Sequence, residues 1–389
     1  KLERELNKEE ILNQYLNNVY LGSGAYGIAD ASWVYFRKNP EDLELEEIAL
    51  IAGLPPAPSI YSPLVNPDLA LQRRSIVLNK MFYEKFINSK DFYAAINSPL
   101  TLKPATPRYT NSAAPFFTSW INQKLPLILT PDQIELGGII IRTSLNLQWQ
   151  EKAQEIIKKQ KPIKLEGAIV SIEPSTGLIR VMVGGKDFNT NQFNRATQAQ
   201  RSPGSTFKIF PYAAALVSGI KPNDKILDRP KCWEKYCPKN FGRKYKGNIS
   251  ITDAFKDSSN IAAVKLLERV GFNKVIDTAN KFGIGKTRKL GRYYPLAIGA
   301  YEQTVLDMTS AYATVTNRGT YIKPSPFEEI RGPENKLLWI NSREKKGGLQ
   351  VIPIDVADTL NWMLQEVVRD GTGKVAALEG RPVAGKTGT

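Results

Sequence analysis

The segment STFKIFPYAAALV, residues 205–217, constrains the fold more than any other part of the chain. Pro203-Gly204 breaks the chain just before it, and the apolar side chains that follow cover nearly every side of a helix, which predicts a buried helix. The chain has 389 residues, 42% of them hydrophobic, which is enough for two or three domains with cores of their own. The single charged residue of the segment, Lys208, is therefore expected to be buried.

Ser205 and Lys208 are placed i and i+3, so they share one face of the predicted helix. The chain contains no histidine, so a nucleophilic serine would need another base. Burial disfavours the charged form of lysine and lowers its pKa from about 10.4, and a neutral amine can accept the serine proton. The field at the helix N-terminus favours negative charge at Ser205. The pattern predicts a serine nucleophile activated by lysine.

Two further elements follow this pair in the chain. Ser258-Ser259-Asn260 leads into the apolar, helix-like stretch NIAAVKLL, and Lys386-Thr387-Gly388-Thr389 ends the strand-like stretch PVAGKTGT. Each element alone is a weak signal. Both elements follow Ser205 in the chain, and each lies beside a predicted helix or strand. This order and context make the combination specific.

Other motif matches fail on context. Ser342 and Lys345 repeat the serine-lysine spacing, but they lie in the charged loop NSREKKGG, where a lysine would stay solvated and protonated. Ser144-Leu145-Asn146 precedes the nucleophile. The dinucleotide-type pattern at Gly22–Gly27 follows a predicted helix where that fingerprint requires a strand. Gly285-Lys286-Thr287 lacks the first glycine of a phosphate-binding loop. None of these supports nucleotide binding.

Three regions of the chain differ in character. Residues 1–85 are predicted to be mostly helical, residues 86–164 have the composition of an interdomain linker, and residues 165–389 mix strand-like and helix-like runs. EGAIVSIEPSTGLIRVMVGG predicts a β-hairpin. Strand-like runs at both ends of the last region, around a helical middle, predict an α+β fold with one sheet assembled from distant segments.

The chain is strongly basic, with a formal net charge of +15. Such a chain can meet nucleic acid, anionic lipid or an anionic polymer. No nucleic-acid-binding signature accompanies the charge, so a solvated basic surface is favoured and nucleic acid is not an expected partner.

Cys232 and Cys237 lie close together in KCWEKYCPKN. With no histidine and no further cysteine, a zinc site would lack its usual ligands. A short-loop disulfide in an oxidising compartment is expected, and two buried free thiols are the alternative.

The motif order resembles that of the penicillin-binding proteins, whose transpeptidase domain carries S-x-x-K, S-x-N and K-T-G. FNRATQAQRSPGSTFKIFPYAAAL and LAIGAYEQTVLDMTSAYATVTNRGTYIKP are similar to that domain, and KEEILNQYLNNVYLGSGAYGIADAS resembles the C-terminal part of a class A peptidoglycan glycosyltransferase domain. The resemblance implies an α+β transpeptidase domain, a sheet flanked by helices, at 165–389. It is preceded by part of a mostly α-helical glycosyltransferase domain.

The resemblance implies a role for each motif residue. Ser205 attacks the penultimate D-Ala carbonyl of a stem peptide, with Lys208 as the base and Ser258 as a proton shuttle. Asn260 binds the substrate amide, Lys386 and Thr387 bind its carboxylate, and the backbone N–H groups of Ser205 and Thr389 form the oxyanion hole. The implied substrate-binding set is Asn260, Lys386, Thr387, Gly388 and Thr389.

The glycosyltransferase-like part departs from its family, because the motifs that carry the catalytic glutamates would precede Lys1. Glu3 falls after the last of them and is not assigned a role, so this chain alone is not expected to polymerise glycan strands. Helix packing and surface charge are favoured roles for the residues that match retained motifs: Lys8, Tyr15, Asn17, Arg73 and Arg74.

The implied function is peptidoglycan cross-linking through a serine acyl-enzyme. The alternatives are a D,D-carboxypeptidase, a serine β-lactamase-like hydrolase and a non-catalytic β-lactam sensor. The implied partners are stem peptides, lipid-linked precursor, β-lactams as inhibitors, and the cytoplasmic membrane through an anchor upstream of Lys1, with the domains on its outer side. No cofactor is expected for transpeptidation, and the resemblance allows a divalent metal in the complete glycosyltransferase domain. Further sheet strands are expected after Thr389.

Overall fold

A computed structural model describes residues 7–105, 112–135, 139–160, 165–285, 289–341 and 348–388. The chain forms two compact units. The first comprises Lys1–Gly137, Gln150–Ala168 and Met182–Asn194, and the second Gly138–Trp149, Ile169–Val181 and Arg195–Thr389. The domain boundaries at residues 85 and 164 stay predictions from the sequence.

Helices dominate the described residues. They are α1 (Lys8–Asn18), α2 (Gly27–Phe36), α3 (Leu45–Ala52), α4 (Pro58–Tyr61), α5 (Pro67–Tyr83), α6 (Ser89–Asn97), α7 (Pro115–Lys124), α8 (Pro131–Glu135), α9 (Leu147–Lys159), α10 (Ile209–Val217), α11 (Ile251–Lys256), α12 (Asn260–Val270), α13 (Phe272–Lys281), α14 (Val305–Thr316) and α15 (Ile354–Asp370). The helices predicted in the first 85 residues correspond to α1, α3 and α5.

The first unit packs α2 and α3 around a small core that includes Tyr35 and Leu50. The sequence defines the start of α3, where Glu44 and Glu47 form a capping box. Between α1 and α2 the chain turns through left-handed positions, and a Cβ on Gly22 would lie 2.4 Å from the carbonyl oxygen of Pro58. The glycine pattern at 22–27 therefore serves a tight loop that follows a helix, in agreement with its rejection as a nucleotide motif.

Short antiparallel pairings make up the β structure. The strands are β1 (Ile140–Thr143), β2 (Ile169–Ile172), β3 (Ile179–Val183), β4 (Lys225–Asp228), β5 (Gly247–Ser250), β6 (Thr320–Tyr321), β7 (Phe327–Arg331), β8 (Leu337–Ile340) and β9 (Leu349–Gln350). They pair as β1-β7-β8, β2-β3, β4-β5 and β6-β9. The predicted hairpin is confirmed as β2-β3. The β1-β7-β8 sheet joins segments far apart in the chain, but it includes neither the hairpin nor residues 382–388, which were the segments expected to share one sheet.

The closing segment of the chain was predicted to be a strand, but the structure shows no strand at residues 382–388. Residues 382–388 pair with no strand among the described residues, and Gly385 N instead donates to Leu364 O of α15 (3.1 Å). An extended chain becomes a strand only when a neighbour completes its ladder. The single sheet expected from the sequence is accordingly four small sheets in the described residues.

The core of the second unit is built around the predicted buried helix. Phe207, Phe210 and Tyr212 are fully buried there. The α-helix begins only at Ile209, however, because residues 204–208 form a 3₁₀ turn. Pro211 explains the difference: it has no N–H to bond the carbonyl of Phe207, so it is tolerated only in the first turn of the α-helix.

Candidate active site

Ser205 lies in the 3₁₀ turn that leads into α10 and is partly exposed, whereas its neighbour Gly204 is buried. The turn is held on two sides. Tyr312 of α14 donates from its hydroxyl to Thr206 O at 2.9 Å. A Cβ on Gly299 would lie 2.2 Å from Gly204 O, so these two backbones make close contact. A rigid turn therefore presents the Ser205 hydroxyl at the surface of the core.

Lys208 is completely buried, as predicted. Its Nζ donates to Ser258 O (2.6 Å) and Asn260 Oδ1 (2.6 Å), and it lies 3.2 Å from Ser258 Oγ. Burial, and then the nearby charge of Lys386, hold the pKa of Lys208 well below its ordinary value. If Lys208 is neutral, its two N–H groups donate to Ser258 O and Asn260 Oδ1. The lone pair of Nζ is then available to accept from the Ser258 hydroxyl.

Ser205 and Lys208 are related by i and i+3 in a 3₁₀ turn, where such side chains eclipse each other. In the described residues, however, no hydrogen bond joins Ser205 Oγ to Lys208 Nζ. The resting arrangement instead pairs Lys208 with the segment Ser258–Asn260. The sequence correctly predicted the shared face but not this partner.

Ser258 occupies a strained backbone position, with a φ of 57° in the left-handed region. This conformation turns its carbonyl toward Lys208, and its hydroxyl also accepts from Lys386 Nζ at 2.8 Å. The next residue, Ser259, caps α12 by accepting from Ala262 N. This short segment thus places the Ser258 hydroxyl between Lys208 and Lys386 and also caps α12.

A buried network of hydrogen bonds holds the Ser258–Asn260 segment in place. Asp228, at the end of β4, accepts from Asn240 Nδ2 (2.8 Å), Ser259 Oγ (2.8 Å) and Lys246 N (3.0 Å). Asn240 Oδ1 in turn accepts from Asn260 N at 2.9 Å. Asp228 and Asn240 are not predictable from the sequence, since neither belongs to a spaced motif and both act through residues distant in the chain.

The side chain of Asn260 is already bonded at both polar atoms. Its Oδ1 accepts from Lys208, and its Nδ2 donates to Lys239 O at 2.7 Å. An amide nitrogen has two hydrogens, so one N–H of Asn260 remains available to donate to a further acceptor.

The segment Lys386-Thr387-Gly388 lies beside the serine turn. Burial lowers the pKa of Lys386 to about 8. Thr387 Oγ1 hydrogen-bonds Thr372 Oγ1 at 2.8 Å, and a Cβ on Gly388 would lie 2.9 Å from Thr206 Cγ2. The structure therefore brings the three predicted motifs together. Thr389, Ser342 and Lys345 lie outside the described residues, as do Lys286 and Thr287.

The connection from β4 to β5, residues 229–246, carries the two cysteines and reaches the site. Cys232 and Cys237 form a disulfide with an S–S distance of 2.04 Å, which confirms the predicted pairing. Trp233 and Tyr236 exchange backbone hydrogen bonds of 2.8 and 2.9 Å inside this small loop. The loop then supplies Asn240 and the carbonyl of Lys239 to Asn260.

The residues that match glycosyltransferase motifs make ordinary structural contacts. Arg73 Nε donates to Gly53 O (3.1 Å), and Arg74, almost fully buried, donates to Ser98 O (2.8 Å). Lys8, Tyr15 and Asn17 lie on exposed parts of α1. In the part of the chain that the structure describes, no group of three or more acidic, histidine or cysteine side chains is placed to hold a metal ion. No helix there is long and apolar enough to span a bilayer.

Asp228→Ala is expected to lower the free energy of unfolding by about 2–4 kcal/mol, because several buried donors lose their acceptor at once. Urea unfolding of the purified protein measures the change. Ser250→Ala, which removes the cap of α11 and the hydrogen bond from Ser250 Oγ to Asp253, serves as a control with an expected loss of about 1 kcal/mol. Equal losses in the two variants would contradict the network.

Two family profiles match the chain. The family described as "Penicillin binding protein transpeptidase domain" matches residues 167–389, and the family described as "Transglycosylase" matches residues 1–82. Penicillin-binding protein 1A of Aquifex aeolicus is 31% identical over the whole of this chain and 65% of its own length. Penicillin-binding protein 2D of Bacillus subtilis is 32% identical over the whole chain and 58% of its own length. The chain thus spans 58–65% of these two relatives.

Solved structures with related folds cover both parts of the chain. The crystal structure of penicillin-binding protein 1A from Haemophilus influenzae aligns with 98% of this chain and 75% of its own, with a TM-score of 0.60 and 23% identity. The PonA1 protein of Mycobacterium tuberculosis, solved in complex with penicillin V, aligns with 64% of this chain and 69% of its own, with a TM-score of 0.56 and 26% identity.

Proposed function

Because this chain belongs to the family of penicillin-binding protein transpeptidase domains, we propose that it cross-links peptidoglycan stem peptides through an acyl-enzyme on Ser205. The observation that carries the proposal is the buried Lys208, whose pKa is lowered and whose amine meets the Ser258 hydroxyl. The match of residues 1–82 to the transglycosylase family supports a glycosyltransferase activity in the full-length protein.

In the first step Ser205 Oγ attacks the penultimate D-Ala carbonyl, and its proton passes to neutral Lys208. A C–O ester bond forms, the C–N bond to the terminal D-Ala breaks, and the leaving amine takes a proton. Because Lys208 contacts Ser258 Oγ in the resting state, Ser258 is placed to relay that proton. An amine of a second stem peptide then attacks the ester, giving a new amide and restoring the Ser205 hydroxyl.

Lys386 has two roles in this scheme. Its charge helps to keep Lys208 neutral, and its hydrogen bond to Ser258 Oγ completes a path from one lysine to the other. Lys386 and Thr387 would bind the terminal carboxylate of the peptide, and the remaining N–H of Asn260 its amide. The backbone N–H groups of Ser205 and Thr389 would stabilise the oxyanion.

The pH profile of kcat/KM is expected to be bell-shaped. It rises as Lys208 loses its proton, and it falls as pH passes about 8, where Lys386 loses the charge that binds carboxylate. The profile is obtained from the rate of D-Ala release from a peptide that ends in a free carboxylate, measured between about pH 5 and pH 10. Lys386→Arg keeps its charge throughout and should move the alkaline fall to higher pH. An unchanged alkaline limb in that variant would contradict the role of Lys386.

The direct test of cross-linking is to incubate the full-length protein with donor and acceptor stem peptides. The expected product is a penicillin-sensitive peptide dimer. Release of D-Ala with water as the sole acceptor would instead indicate a carboxypeptidase. The disulfide supports placing the domain outside the cytoplasmic membrane, since such bonds persist in oxidising compartments.

A further inference from the structure

The β4–β5 connection, residues 229–246, is strongly basic, and we name it the cationic loop. It carries seven basic residues and one acidic residue, which is a net charge of +6 out of the +15 of the whole chain. The basic residues are Arg229, Lys231, Lys235, Lys239, Arg243, Lys244 and Lys246. None of the roles assigned above uses these charges.

Most of this charge is not neutralised by the protein. Lys231 pairs with Glu268 and Lys246 pairs with Asp257, each at 2.7 Å. Within the described ranges, no ion pair holds the other five basic residues, and all of them are exposed. The five are Arg229, Lys235, Lys239, Arg243 and Lys244.

The backbone beneath these charges is fixed. The disulfide closes one end of the loop, and Trp233 is buried with 4% of its surface exposed. Asn240 is buried in the Asp228 network at the other end. An anionic partner would therefore meet cations on a preorganised backbone, which lowers the entropy lost on binding.

The cationic loop is also in direct contact with the site. Lys239 O accepts from the Asn260 side chain at 2.7 Å, and Asn240 Oδ1 accepts from Asn260 N at 2.9 Å. Phe241, the next residue, is 94% exposed. An extended peptide advances about 3.3–3.6 Å per residue, so a peptide bound at Asn260 brings its second or third residue within reach of a lysine side chain.

We propose that the cationic loop binds a carboxylate of the donor peptide, two or three residues before the scissile bond, and so selects acidic donors. This inference rests on the proposed transpeptidase function and adds its substrate preference. A single exposed ion pair contributes little, but several cations carried on one short backbone segment raise both affinity and encounter rate.

The test compares two synthetic peptides ending in D-Ala-D-Ala that differ in one side chain, a carboxylate in one and a carboxamide in the other. Full-length enzyme is expected to favour the carboxylate peptide by about 5–30-fold in kcat/KM at low ionic strength, as for two or three exposed pairs. The preference should largely disappear in Lys239→Gln/Arg243→Gln/Lys244→Gln and at high salt. The matched control Lys221→Gln/Lys323→Gln/Lys336→Gln removes equal charge from exposed positions outside the loop and should keep the preference.

A preference that persists in the loop variant, or is lost equally in the control, would overturn the inference. The inference would also be overturned if the protein binds vesicles of anionic phospholipid, the loop variant alone loses that binding, and the peptide preference stays unchanged. The cationic loop would then serve as a membrane-binding surface. Failure of the proposed function is distinguishable, because wild-type enzyme would then release D-Ala from neither peptide.

Discussion

Ser205→Ala is expected to abolish both β-lactam labelling and D-Ala release. The substitution removes the hydroxyl oxygen that is proposed to form the acyl bond, and water cannot replace a covalent intermediate in transfer to an amine. Fluorescent-penicillin labelling of the full-length protein measures the first loss, and a D-Ala assay the second.

The matched control is Ser218→Ala, at the exposed end of α10, which leaves the core and the serine turn unchanged. It should be labelled like the wild type. Residual labelling of Ser205→Ala above that of heat-denatured protein would assign the nucleophile to another residue.

Lys208→Ala is expected to slow acylation by about 10²–10⁴-fold, the usual contribution of a general base, and the chain has no histidine to take over. Lys208→Arg tests whether a neutral amine is required at this position. A guanidinium is similar in size but stays protonated, so it cannot accept the Ser205 proton and this variant should be as slow as alanine. Stopped-flow acylation rates measure both.

Lys265→Ala is a suitable control, because Lys265 also has a lowered pKa caused mainly by burial but donates to Leu227 O, outside the site. Its acylation rate should stay within about threefold of wild type, as for a residue outside the catalytic machinery. Rapid acylation of Lys208→Arg would show that charge at this position matters and proton transfer does not.

The features predictable from sequence are those encoded by short spacings. The burial of Lys208 followed from the apolar residues on all sides of it, the β2–β3 hairpin from its turn residues, and the disulfide from two cysteines five positions apart. The gathering of the three motifs followed from their order and from the resemblance they carry. In each case the local pattern and the tertiary structure agree.

The features that were missed depend on segments far apart in the chain. Asp228 accepts from Ser259, thirty-one positions away, and no periodicity encodes that pairing. The strand predicted at residues 382–388 required a ladder partner that a single segment cannot specify. Lys208 bonded to Ser258 rather than Ser205 because a left-handed backbone at Ser258, invisible in sequence, turns a carbonyl toward it.

Acylation of Ser205 with Lys208 as the base can be tested on a single peptide of the protein. The most direct measurement is peptide mass mapping of full-length protein after reaction with penicillin, in the wild type and in Lys208→Ala at matched times. We expect an adduct on Ser205 in the wild type and a greatly reduced adduct on the same peptide in Lys208→Ala. An adduct on any other serine, Ser342 included, or equal labelling of the two proteins would contradict it.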